Sequence, residues 1–343
     1  MQQARSSVAK PRTASIPALL MAAGLSVCVL IAPDQAMAQD PVIAQNQDSG
    51  YRLRDRLKER MAQTNTEDTK DTEDSNNTDK AKNTTDYTKY KIAGLDVAVW
   101  KPQAAGKAPL VIFSHGFGGS NTQSKFIMQA MAQAGYLVVA PNHHDAHCLR
   151  EAHFQPEISW TKPAEWSDTT YQDRRQDIVK LLQGLHSDPF WDKQIDWSKL
   201  ALSGHSLGGY TVLGVAGAWP SWKIEGAAIK GVLALSPYCM PYVDHGALDH
   251  INLPVMYQGG TRDTGLTPYV KRPGGAFSQT SSPAYFVEFD QVTHFSWTSF
   301  NRNKEQQDLI NHYCVAFLDK YVKGSPDTNL QTKLPGVTDL EEK

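Results

Sequence analysis

Between residues 87 and 323 the sequence alternates short apolar runs with longer stretches of helical periodicity, and that alternation limits the fold more than any other feature. Leu110-Val111-Ile112-Phe113, Tyr136-Leu137-Val138-Val139-Ala140 and Gly231-Val232-Leu233-Ala234-Leu235 carry no charge and no polar alternation. A strand that is apolar on both faces must be covered on both, which is the situation of a parallel strand inside a layered domain. Further strand-like runs lie at 92–100, 200–202, 254–257 and 284–289. Between them, Phe126, Ile127, Ala130, Met131 and Ala134 share a helix face, as do Ile178, Leu181, Leu182 and Leu185. Leu309, Ile310, Tyr313, Phe317 and Tyr321 do the same near the end. The expectation is a single α/β domain over 87–323, with a mostly parallel central sheet, helices on both faces and no large cap domain.

The ends read differently. Arg5, Lys10 and Arg12 precede an uncharged run over 13–33, which leads to the small-x-small site Ala36-Met37-Ala38. That three-part layout predicts a signal peptide over 1–38, hence export to the periplasm or beyond without a stable membrane anchor. Residues 39–86 are expected to be a disordered polar linker, with at most a short helix over 51–61 from the spacing of Tyr51, Leu53, Leu57 and Met61. The polar residues 324–343 are expected to be a flexible tail.

Composition excludes some functions. With 34 Lys+Arg against 36 Asp+Glu, the formal charge of -2 supplies no electrostatic footprint for nucleic acid. Four cysteines cannot build a disulfide scaffold, and removal of the leader leaves Cys148, Cys239 and Cys314. Cys148 and Cys239 both follow strand exits, so they are the expected pair, with Cys314 a buried free thiol.

The chemistry concentrates in four places. Gly204-His205-Ser206-Leu207-Gly208-Gly209 follows an apolar run and opens a helical stretch, the strand–turn–helix setting of an exposed serine nucleophile. The amide of Leu207, at the helix start, is placed to meet a developing oxyanion. Ser114-His115-Gly116-Phe117-Gly118-Gly119 leaves an earlier strand. Asp263 lies just past the run at 254–257, whereas Asp290 reads as a solvated or loop-capping residue, and Asp244 and Asp249 come too early. Only His294 and His312 follow Asp263, and His312 falls outside the apolar face of its helix. The order Ser206, Asp263, His294 is that of a nucleophile, an orienting acid and a general base.

On these residues the chain resembles the α/β-hydrolase superfamily across 87–323. Within it, the chain is similar to bacterial dienelactone-hydrolase-like esterases and to platelet-activating-factor acetylhydrolases. Asn142-His143-His144-Asp145 is similar to a His-Arg-Asp run of the acetylhydrolases, with His144 in place of the arginine. True dienelactone hydrolases use a cysteine where Ser206 stands, so their chemistry is not implied. The resemblance implies that the backbone N–H of Phe117 is the second oxyanion donor. A more distant similarity to cutinase-like polyester hydrolases makes Tyr238 either a substrate clamp opposite Phe117 or a residue packed under a loop.

The loop holding His143, His144, Asp145, His147, Cys148 and His153 matches no standard zinc spacing, so no metal and no cofactor are expected. The stretch 149–171 adds Phe154, Ile158, Trp160, Trp166 and Tyr171, and is expected to border an apolar acyl pocket in which Trp160 contacts substrate. The chain therefore reads as a monomeric, exported serine carboxylester hydrolase for short or medium acyl esters. Its alternatives are a lipase or cutinase-like polyester hydrolase with an open groove, acting on lipid or polymer esters, and a non-catalytic binding protein on the same fold.

Overall fold

The structure, a computed structural model, describes residues 87–343 except 150–154, 282, 327 and 329. The expected signal peptide, linker and 51–61 helix lie outside the described residues.

Nine strands form one sheet in the order β1-β2-β4-β3-β5-β6-β7-β8-β9. They are β1 Tyr87–Ile92, β2 Leu95–Trp100, β3 Ala108–Ser114, β4 Leu137–Pro141, β5 Ile195–His205, β6 Ile229–Leu235, β7 Val255–Gly260, β8 Ala284–Phe289 and β9 Val337–Glu342. From β4 through β3, β5, β6 and β7 to β8 the pairing is parallel, while β1, β2 and β9 are antiparallel additions at the edges. The apolar runs are buried on both faces, as their composition requires. Leu110 and Ile112 of β3 join one core with Ile178, Leu181 and Leu185. Val111 and Phe113 join the other with Ile127, Met131, Ile310 and Phe317. The helices responsible are α1 Lys125–Gln133 and, much later, α6 Lys304–Leu318 on one face. On the other lie α2 Gln172–Ser187 and α3 Leu207–Leu213. Two shorter helices, α4 Met240–His245 and α5 Thr267–Lys271, follow β6 and β7. Among the described residues no helix is long and apolar enough to cross a membrane.

Three expectations change. The run at 92–100 is a hairpin, because Ala93 and Gly94 both take positive φ and turn β1 back onto β2. The last twenty residues are not a free tail: Val337–Glu342 pairs along β8 and buries Val337. An edge strand bearing Asp339, Glu341 and Glu342 has the charge that keeps an edge from pairing further, which disguises it as tail. Finally, Cys148, Cys239 and Cys314 are all free thiols, so the expected Cys148–Cys239 bridge is absent. Cys148 follows β4 and Cys239 follows β6, and β3 and β5 lie between those strands. Three strand spacings are about 14 Å, twice the reach of a disulfide.

Candidate active site

Ser206 directly follows β5 and caps α3 with φ 57° and ψ -119°, a strained conformation for an L-residue. The turn is possible because two glycines remove Cβ atoms. One on Gly204 would lie 2.2 Å from the Gly208 carbonyl oxygen, and one on Gly208 would lie 1.9 Å from that of Ser114. The elbow is stitched to the end of β6 and the segment after it, with Ser206 N–H donating to Leu235 O and Tyr238 N–H donating to Ser206 O.

The parallel strands bring the remaining residues to the same edge, since β5, β6, β7 and β8 are consecutive neighbours. His294 opens a short 3-10 turn, His294–Trp297, fixed by a reciprocal Thr293/Ser296 capping box. Buried Trp297 anchors that turn by donating its indole N–H to Gln258 Oε1 at 2.9 Å. His294 Nε2 lies 3.0 Å from Ser206 Oγ. Asp263, 3% exposed, places Oδ1 3.6 Å from His294 Nδ1, beyond direct hydrogen-bond length. The group closest to Nδ1 is instead the hydroxyl of Ser236, at 2.7 Å, which donates to Asp263 Oδ2 at 2.6 Å. Thr267 also donates to Oδ2, at 3.1 Å. Burial opposes ionisation of Asp263, but the His294 contact and these hydroxyls outweigh it and hold the carboxyl below its usual range. Asp290 stands apart, accepting from Thr261 and the Gln291 amide, and His312 is exposed on α6.

The loop after β3 lies against the elbow: a Cβ on Gly116 would be 3.3 Å from Ser206 Cβ. The Gly116 carbonyl accepts from His115 Nδ1 at 2.7 Å, Gly119 N–H at 3.0 Å and, more weakly, Arg174 at 3.4 Å. In a trans peptide the following N–H points the opposite way, so this pinning directs the amide of Phe117 away from the protein interior. The neighbouring amides are taken, Gly116 N–H by Gln123 and Gly118 N–H by Asp145. Leu207, first residue of α3, has an amide with no acceptor inside its helix.

The His-rich loop supports this arrangement. Asp145 and Arg174, both fully buried, pair at 2.8 Å, and Arg174 also donates to His115 O at 2.8 Å. Burial opposes the Asp145 charge, but Arg174 overcomes it and holds the carboxyl well below the usual range. His115 Nε2 accepts from the His143 amide, which leaves its Nδ1–H for Gly116. His143 bridges Ser114 and Asp177, at 2.9 Å each. His205 accepts from Gln123 at Nδ1 and donates from Nε2 to His294 O at 2.8 Å, so it links the loop after β3 to the His294 turn; burial lowers its pKa to about 3. Sequence reasoning missed Arg174, Gln123 and Ser236, whose partners lie on distant segments.

An aromatic wall flanks the site. Phe117 meets Trp160 edge-on at 5.3 Å, and Trp160 packs on Trp166, Tyr171 and Tyr238. Trp160 is half-buried, but Tyr238 is only 4% exposed and donates its hydroxyl to Trp160 O. Tyr238 is thus packed under the 155–171 loop and is not a clamp facing substrate. Beside His294, Phe295 packs on Phe300, which is 43% exposed. Among the described residues, one group offers metal-ligating atoms close together: His144, Glu157 and Asp173, within 4.8 Å. There His144 and Asp173 already form an ion pair.

The sequence is similar to those of known proteins. The profile of the Chlorophyllase family matches residues 72–237, a span that includes the loop after β3 and the Ser206 elbow but stops before Asp263 and His294. A platelet-activating factor acetylhydrolase of Gallus gallus is 30% identical over 279 residues, 66% of this chain and 64% of the relative. The chain has the α/β-hydrolase fold. Chlorophyllase type 0 of Chenopodium album is 27% identical over 151 residues, 44% of this chain and 40% of the relative. The chain thus spans less than two thirds of the length of either relative.

Proposed function

We propose that this α/β hydrolase is a serine carboxylic ester hydrolase with Ser206 as nucleophile, His294 as general base and Asp263 as the orienting acid. The observation that carries the reading is the 3.0 Å contact between Ser206 Oγ and His294 Nε2 on a strained elbow. Ser206 Oγ attacks the acyl carbon while its proton passes to His294 Nε2. The amides of Phe117 and Leu207 stabilise the tetrahedral oxyanion. As the intermediate collapses, His294 returns the proton to the leaving alkoxide, and the acyl-enzyme is hydrolysed by a water that His294 activates. The names of the matched relatives, an acetylhydrolase and a chlorophyllase, support an ester substrate.

The substrate class follows from the surroundings of Ser206. Phe117 and Trp160 offer an apolar wall for a short or medium acyl chain. The exposed Phe300 beside Phe295 favours a second reading, in which an apolar rim lets the same site engage lipid or polymer esters. Export rests on the leader-like sequence of residues 1–38.

The test is Ser206→Ala. Hydrolysis of p-nitrophenyl acetate and labelling by a fluorophosphonate are expected to disappear with the circular dichroism spectrum unchanged. Retained turnover in that variant rejects the proposed nucleophile. An acyl series from acetate to palmitate, run beside a polyester film, separates the two substrate readings.

A further inference from the structure

Ser236 has three properties that a loop serine seldom combines. It is fully buried, it holds a positive φ of 41°, and its hydroxyl lies between the two ionisable members of the proposed triad. Non-glycine residues take this backbone region only where their surroundings force them to. The surroundings here are the end of β6 and the elbow, with Ser236 N–H donating to Gln258 O at 2.8 Å.

The proton positions follow from the partners. Ser206 presents its hydroxyl proton to His294 Nε2, so the imidazole carries its own proton on Nδ1. A hydroxyl has one proton, and the Ser236 proton goes to Asp263 Oδ2 at 2.6 Å. Its lone pair is therefore what faces Nδ1–H at 2.7 Å, whereas the nearest Asp263 oxygen stands at 3.6 Å. Asp263 is held in that position independently, by Thr267 and by its own backbone contacts.

On the reading of Ser206 as nucleophile, we infer that Ser236 is a positioning residue that carries the influence of the Asp263 carboxylate to His294. The chain of contacts runs Nδ1–H to Ser236 Oγ, then Ser236 O–H to Asp263 Oδ2. No proton leaves Ser236 during the reaction. When Nε2 takes the proton of Ser206, the charge on the imidazolium is met by an oxygen whose own O–H bond is polarised by a carboxylate. The same contact fixes the Nδ1–H tautomer and the orientation of the ring.

Ser236→Gly tests this, because glycine tolerates the positive φ and removes the hydroxymethyl group that makes both contacts. Losing one buried charge-linked hydrogen bond predicts a fall in kcat of about ten- to a hundred-fold on p-nitrophenyl acetate, with KM little changed. The acid limb of the kcat/KM profile should move to lower pH, and the downfield proton resonance of His294 Nδ1–H should shift or broaden. Combining Ser236→Gly with Asp263→Asn should cost little beyond the worse single variant, since both interrupt one path. Wild-type kcat and an unmoved acid limb in a folded Ser236→Gly protein overturn the inference, and so does strict additivity in the double variant. Failure of the esterase reading itself is visible separately, as activity that survives Ser206→Ala.

Discussion

Ser206 is held at a backbone conformation that costs on the order of 1–3 kcal/mol, and the surrounding contacts supply it. Gly204 and Gly208 let the turn close against Ser114 and the start of α3, and the amides and carbonyls on either side are used in cross-links to the end of β6 and the segment after it. The distinction between the two carboxylates after β7 and β8 is equally local. Asp263 is 3% exposed and receives two hydroxyls, while Asp290 serves its own turn at the surface. Asp263→Asn is expected to lower kcat by about a hundred- to ten-thousand-fold on p-nitrophenyl acetate. Asp290→Asn, assayed in parallel, should remain near wild type. A larger loss in the Asp290 variant, with the fold intact, assigns the acid to the wrong residue.

At the scale of elements, the loop after β3, proposed to supply an oxyanion donor, is shaped from behind by α2. Arg174 reaches from the first turn of that helix to Asp145, His115 O and Gly116 O, and so ties three segments together without touching the reacting atoms. Arg174→Met leaves the Asp145 charge buried and unpaired, which predicts a loss of about 3–5 kcal/mol in urea unfolding. Its kcat should fall with little change in KM, because the role proposed for the Phe117 amide begins once the oxyanion forms. An unchanged urea midpoint would remove Arg174 from this role. The last strand makes a second element-scale prediction. Deleting the residues after Gly336 uncovers the edge of β8 and loses the burial of Val337. A stability loss on the order of 3 kcal/mol is expected, with a rising tendency to associate through the exposed edge. Equilibrium unfolding and light scattering of the truncated chain check both parts.

For the molecule as a whole, the buried histidines set the response to acid. His115, His143 and His205 are each depressed by burial, His205 to about 3. The unfolded chain protonates histidine near pH 6.5, so below that pH it binds more protons than the fold does at these three positions. Stability therefore falls as the pH drops from about 6.5 toward the lowered native values, by up to about 1.4 kcal/mol per pH unit for each group. His144 works in the opposite sense, because its hydrogen bond to Asp173 raises it and stabilises the fold below 6.5. With His312 also lowered by burial, four groups against one leave a net decline. Asp145 and Asp263, both depressed, add their own losses only below about pH 4. Urea midpoints at pH 7.5, 6 and 5 should fall in that order. A flat series would mean that the buried imidazoles accept protons without unfolding.

Sequence by itself determined the layered α/β class, the strand–turn–helix around Ser206, and the chain order of the residues proposed for catalysis. Those features are local or periodic: an apolar run must be covered, and a Gly-x-Ser-x-Gly turn carries its own steric logic. Tertiary structure alone decided what depends on which strands are neighbours. It separated Cys148 from Cys239 by two strands, made an edge strand from a charged C-terminal segment, and packed Tyr238 beneath Trp160. It also set Ser236 between Asp263 and His294. A serine after β6 carries no signal of that position, because its partners leave β7 and β8, and only the parallel register of the sheet brings the three strand ends to one place.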